Sequence, residues 1–113
     1  MATVKKNFWT GKNGPLMIAE IGGNHEGSFI NAKKLTNEAI KSGADVIKFQ
    51  LYSGDAIVNK KISPDRNKHF KKFQLSKKQH SELAKMCNKA GVQYSASIWD
   101  LEMINWVDKY LKF

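Results

Sequence analysis

A parallel α/β fold is predicted by three features of the sequence. Apolar runs of strand length occur at 16–21, 45–52 and 92–99, and each is followed by residues with an apolar stripe at helical spacing. Gly43 and Gly91 then separate the first two helical stretches from the strands that follow them. Strand and helix alternating in this way build β-α-β units around a parallel sheet. Periodicity alone leaves open whether that sheet is open or a segment of a barrel.

Before the first strand, Asn7 to Leu16 reads as a small hairpin, with strand-like Phe8 and Trp9 and the dense turn signal Gly11-Lys12-Asn13-Gly14. Pro15 introduces the strand Leu16-Met17-Ile18-Ala19-Glu20-Ile21, in which Glu20 shares a face with Leu16 and Ile18. Gly22-Gly23-Asn24-His25-Glu26-Gly27 follows as a βα loop. It lacks the GxxxxGK[ST] spacing of a phosphate-binding P-loop. His25 stands at a strand end, where it reads equally well as a ligand or proton-transfer group and as an ordinary loop histidine.

Ser28 is a good N-cap, and Ala32, Leu35, Thr36, Ala39 and Ile40 form the buried stripe of the first helix. Asp45-Val46-Ile47-Lys48-Phe49-Gln50-Leu51-Tyr52 is the strand around which the chain is organised. Ile47, Phe49 and Leu51 share one apolar face, whereas Val46, Lys48, Gln50 and Tyr52 share the other. That second face turns polar toward the C-terminal end, where parallel sheets place their ligands. An ammonium inside a protein usually finds an anionic partner or loses its proton; a solvated lysine on an edge strand is the alternative. Glu20 occupies the same level on its own strand, so the two should present opposite charges side by side.

The segment from Ser53 to Leu75 is long for a connection, and His69 to Phe73 is expected to form one or two helical turns. It reads either as a substrate-contacting lid or as a solvated spacer. Ser76-Lys77-Lys78-Gln79 matches a capping box, and Leu83, Met86, Cys87 and Ala90 make the next stripe. In the third strand Ser95 and Ser97 share a face. Asp100 then caps a last helix expected to turn Leu101, Ile104, Val107 and Leu111 inward.

Composition narrows the function. The 113 residues suffice for one domain, and 42% hydrophobic content can supply a core. No apolar run approaches the roughly 20 residues of a membrane span, and no signal-peptide core is visible before Asn13, so a cytoplasmic protein is expected. Cys87, the single cysteine, excludes an internal disulfide and reads as a small buried group. The net charge of +9 invites a nucleic-acid reading, but Arg66 is the sole arginine and the lysines are scattered, which describes a solvated surface better than a base-reading one.

Four segments in series carry a family resemblance: Ala19 to Gly27, Ala32-Lys33-Lys34-Leu35, Ser42 to Gln50, and Trp99-Asp100-Leu101-Glu102. From Pro15 onward the chain resembles the sialic acid synthase (N-acetylneuraminate synthase) family. The resemblance implies a partial TIM (β/α)8 barrel, with about three of the eight units in residues 1–113. It also implies that the rest of the barrel and a C-terminal antifreeze-like domain lie beyond this chain, and that the intact enzyme is a homodimer. The activity implied is condensation of phosphoenolpyruvate with an N-acetylmannosamine-like amino sugar to a nine-carbon sialic-type acid, assisted by Mn²⁺ or Mg²⁺ whose usual ligands are not in this chain.

By the same resemblance Glu20 and Lys48 are the catalytic candidates, and Gln50, Ser97, Asn24 and His25 the substrate-binding ones. Ser97 stands where threonine is commoner, and Ile98 replaces a common proline. Three units cannot close a barrel, so the isolated chain is expected to be poorly stable and inactive. A non-catalytic part-barrel that associates with other chains is the alternative reading.

Overall fold

A computed structural model describes residues 9–111. The expected hairpin is present as β1 (Thr10–Gly11) and β2 (Gly14–Pro15), antiparallel; Asn7 and Phe8 lie outside the described residues. Three parallel strands follow, β3 (Ile18–Gly22), β4 (Val46–Leu51) and β5 (Gln93–Ile98), adjacent in the order β3-β4-β5. Helix α1 (Phe29–Lys41) connects the first two. The second connection comprises α2 (Gly54–Ile57), α3 (Pro64–Phe73) and α4 (Lys77–Lys89). Among the described residues no helix is long and apolar enough to cross a membrane.

Local chemistry sets the helix ends. The Asn31 amide donates to Ser28 Oγ (3.2 Å), and Ser76 and Gln79 form a reciprocal capping box. Gly43 leaves α1 at φ +86°, a left-handed conformation that favours glycine. The carboxylate of Asp45 then accepts from the Lys12 and Met17 amides, both at 2.9 Å, tying the hairpin to the start of β4. A Cβ on Gly11 would run into that carboxylate.

These two hydrogen bonds hold the Asp45 carboxyl below its ordinary 3.8. Its contribution to stability is therefore complete above that pH and is lost as the pH falls through the lower folded value. Replacing Asp45 by alanine is expected to raise hydrogen-exchange rates at the Lys12 and Met17 amides by at least about tenfold at neutral pH, the size of one lost charge-assisted bond. Unchanged rates would show that the hairpin is held by other contacts.

Both long helices pack on one face of the sheet. Ile47, Phe49 and Leu51 are fully buried there with Ala32 and Ala39 of α1 and Leu83, Ala84 and Cys87 of α4. Burying side chains of this size contributes about 1.5–3 kcal/mol each. The α4 stripe differs from the expected one. Ala90 is exposed at the C-cap, and His80, one turn before Leu83, is buried in its place.

His80 Nδ1 lies 2.8 Å from the Tyr94 hydroxyl, while Nε2 has no hydrogen-bond partner among the described residues. Burial, followed by the neighbouring His25, pushes the His80 pKa down from 6.5 to about 4. The folded protein thus keeps this ring neutral at pH values where the unfolded chain protonates it. Stability is expected to fall as pH drops from 6.5 toward 4, by roughly 3 kcal/mol for a shift of that size. Urea midpoints measured across that range should slope less steeply in His80→Gln; equal slopes would mean that other groups dominate.

The chain after β5 departs from prediction. Asp100 caps it as expected, its Oδ1 accepting from the Glu102 amide at 3.1 Å. One continuous helix is replaced by 3₁₀ turns at Leu101–Met103 and Asp108–Tyr110 flanking α5 (Ile104–Val107). Val107 is buried and Leu111 packs partly against the core, but Leu101 is 83% exposed and Ile104 44% exposed. Only the end of the expected stripe meets an apolar surface.

Candidate functional site

The face of the sheet opposite the helices carries the polar rows. Register pairs Glu20 with Lys48, Lys48 with Ser95, and Gln50 with Ser97. Glu20 Oε2 lies 3.1 Å from Lys48 Nζ, so the ammonium meets the carboxylate that strand alternation places beside it. The Lys48 side chain is 36% exposed and that of Glu20 48%, which leaves the pair partly hydrated and open to a ligand. Such a pair contributes little to folding, about 0–1 kcal/mol.

A β-bulge shapes the upper end of this site. Glu20 pairs with Lys48, yet Gly22 pairs with Phe49, so one extra residue is accommodated between them. Ile21 is then buried while Glu20 stays on the open face. Gly22 has φ +54°, and a Cβ there would sit 3.3 Å from Glu20 Oε1 and 3.6 Å from Gln50 Nε2. The glycine therefore supplies both the backbone turn and the space in which the carboxylate and the amide approach each other.

The loop residues do different work. Asn24 caps the end of β3, its side-chain Nδ2 donating to the Ile21 carbonyl at 2.9 Å. His25 is only 2% exposed, and its Nδ1 accepts from the Gly27 amide at 2.9 Å. That bond places the ring proton of the neutral imidazole on Nε2. Burial lowers the His25 pKa and favours this neutral form. The described contacts of both residues shape the loop around the site, and neither bonds to Glu20, Lys48, Gln50 or Ser97.

The long segment after β4 is more ordered than one or two helical turns. Pro64 in the first turn, Asp65 beside it and Lys71 and Lys72 in the last turn complement helix geometry and dipole over all of α3. Buried Asn67 donates to Asp55 Oδ1 and to the Val58 carbonyl, both at 3.0 Å, and the Gly54 amide donates to Gln74 Oε1 at 2.7 Å. A Cβ on Gly27 would strike the Lys72 carbonyl oxygen, so the end of α3 rests directly on the βα loop. Sequence reasoning placed only the last turns of this helix, His69 to Phe73, and missed its start, although Ser63-Pro64-Asp65 is a usable start signal.

Aromatic rings extend the polar rows upward. Tyr52 follows Gln50 and Trp99 follows Ser97; the two rings stack at 5.2 Å, and Phe70 of α3 meets both, at 5.6 Å and 6.2 Å. Among the described residues no three His, Cys, Asp or Glu side chains converge as a metal-binding group. The one carboxylate of the site faces an ammonium, so these residues do not by themselves compose a divalent-metal site.

The model of the NeuB family matches residues 35–112. An N,N'-diacetyllegionaminic acid synthase of Legionella pneumophila is 31% identical over 80% of this chain and 29% of its own length. The human N-acetylneuraminate-9-phosphate synthase is 32% identical over 81% of this chain and 29% of its own length. The chain therefore spans about three-tenths of the length of these relatives. In structure it is similar to the N-acetylneuraminic acid synthetase of Leptospira borgpetersenii, solved with citrate, at a TM-score of 0.78 and 26% identity over 96% of this chain and 38% of that one. A chain that matches the NeuB family model over more than half its length, and is over 30% identical to these synthases across four-fifths of its residues, is a member of the NeuB family.

Proposed function

We propose that this chain forms the phosphoenolpyruvate-binding part of a synthase that joins phosphoenolpyruvate to an N-acetylated amino sugar, giving a sialic-type acid. The observation that carries the reading is the Glu20–Lys48 pair, 3.1 Å apart on neighbouring parallel strands, with Gln50 and Ser97 in the next register positions. Consecutive strand order with both helices on one face is also how successive units of a (β/α)8 barrel are laid down, and we read these as about three of its eight. Work of this kind belongs in the cytoplasm.

Each side chain has a role within that reading. The Lys48 ammonium, a compact point charge, holds the phosphate or carboxylate of phosphoenolpyruvate. Gln50 offers both a donor and an acceptor, and the Ser97 hydroxyl offers the same in a smaller group. Glu20 holds Lys48 in place before substrate arrives and is positioned to move a proton once the anion has taken over the ammonium. Asn24 and His25 fix the loop that borders the sugar side. A divalent cation, where the intact enzyme uses one, draws its ligands from elsewhere.

Titrating the chain with phosphoenolpyruvate while following the phosphorus resonance tests the proposal. A saturable shift that inorganic phosphate displaces and that depends on Lys48 is expected. A flat titration at millimolar ligand would remove the anion site on which the reading stands.

A further inference from the structure

Trp99 is the feature of the open face that the anion site leaves unexplained. Its amide donates to the Leu51 carbonyl at 3.1 Å, which continues the β4–β5 ladder by one step and fixes the residue at the top of the Ser95-Ser97 row. Tyr52 stands at the top of the Lys48-Gln50 row, and it is only 5% exposed. The Tyr52 ring covers one side of the indole at an interplanar angle of 26°, and Phe70 stands against both rings at 85° and 62°. Trp99 nevertheless remains 44% exposed.

We propose that the exposed indole of Trp99 is the platform on which the pyranose ring of the N-acetylated amino sugar stacks. The chemistry favours a sugar over a purely apolar ligand. Gln50 and Ser97 precede Tyr52 and Trp99 by one step on the same face and are register partners across β4 and β5. A pyranose combines a face of C–H groups with a rim of hydroxyls, so an aromatic plane above hydroxyl and amide groups matches both of its surfaces. Lys48 lies one inward position further down the same row than Gln50, which puts the anionic substrate beneath the sugar and not beside it. Tyr52 and Phe70 hold the indole at a fixed angle, so little conformational freedom is lost when the sugar binds.

The inference rests on Lys48 as the anion site, and the experiment separates the two. The 113-residue chain is titrated with N-acetylmannosamine and, in parallel, with phosphoenolpyruvate, and contacts are read by saturation transfer and by intermolecular NOEs from the Trp99 indole protons. Sugar C–H protons should show NOEs to the Trp99 ring in the unaltered chain. Trp99→Leu should weaken the sugar about fivefold, the size of one aromatic contact, while Trp99→Phe stays within about twofold. Phosphoenolpyruvate affinity should be unchanged in both variants.

Equal sugar affinity in Trp99→Leu, or saturation transfer without NOEs to Trp99, overturns the platform and leaves the anion site standing. Phosphoenolpyruvate binding with no sugar binding has the same meaning. Failure to bind either ligand overturns both readings. The NOE measurement uses the native chain, so a Trp99→Leu variant that fails to fold does not protect the proposal.

Discussion

Replacing Lys48 by alanine is expected to leave the fold intact and to weaken phosphoenolpyruvate at least about tenfold, the scale of one hydrogen bond to a charged group in a partly desolvated site. The fold should survive because the Glu20–Lys48 pair is partly hydrated and contributes no more than about 1 kcal/mol. Binding should not survive, because Lys48 is the one cation on the described inward rows formed by Ile18, Glu20, Val46, Lys48, Gln50, Tyr52, Gln93, Ser95, Ser97 and Trp99. Lys48→Arg should not restore it, since the planar guanidinium presents a longer fork where a compact ammonium stood.

Glu20→Gln separates binding from chemistry. It removes the competing carboxylate, so phosphoenolpyruvate should bind at least as tightly as before while any proton transfer through Glu20 is lost. Titrations followed by the phosphorus resonance measure all three variants. An affinity for Lys48→Ala within a factor of two of the unaltered chain would show that the anion lies elsewhere.

The facing charges were readable from the sequence because strand alternation is strict. Once 16–21 and 45–52 are parallel neighbours of similar length, Glu20 and Lys48 have to share a level and a face. Caps were equally readable at Ser28, Ser76 with Gln79, Gly43 and Gly91, since each rests on backbone chemistry within four residues. Features that depend on distant partners were not. The ten residues of α3 hold only three apolar side chains, and the helix is pinned by Asn67, whose bonds reach back to Asp55 and Val58. His25 looked like a rim residue by position, yet the loop folds it inward to 2% exposure. His80 had a signal that polarity concealed: the spacing His80, Leu83, Ala84, Cys87 is a complete helical stripe once histidine is allowed a buried partner, here Tyr94. The bulge at Ile21 has no signature beyond the two glycines that follow it.

Phe49→Ala should cost about 3–5 kcal/mol, the usual range for removing a fully buried aromatic ring. Phe49 is 0% exposed and lies at the centre of the helix-side core, stacked on Tyr94 at 5.4 Å and meeting the edge of His80 at 6.1 Å. Few neighbours can close the space, because Ile47 and Leu51 on the same strand are held by ladder bonds to β3 and β5 and cannot slide. Against the roughly 5–15 kcal/mol that is typical of a whole folded domain, a loss of this size is large. It also reaches the site: Phe49 lies between Lys48 and Gln50, so local opening of β4 turns the ammonium and the amide away from Glu20 and Ser97 together. Urea unfolding at pH 7 should show the midpoint falling, and phosphoenolpyruvate affinity should recover only as far as the folded fraction does. A loss below about 1 kcal/mol would mean that the core does not close around this ring. Weakened binding in a fully folded Phe49→Ala chain would instead show that the ring positions its neighbours directly.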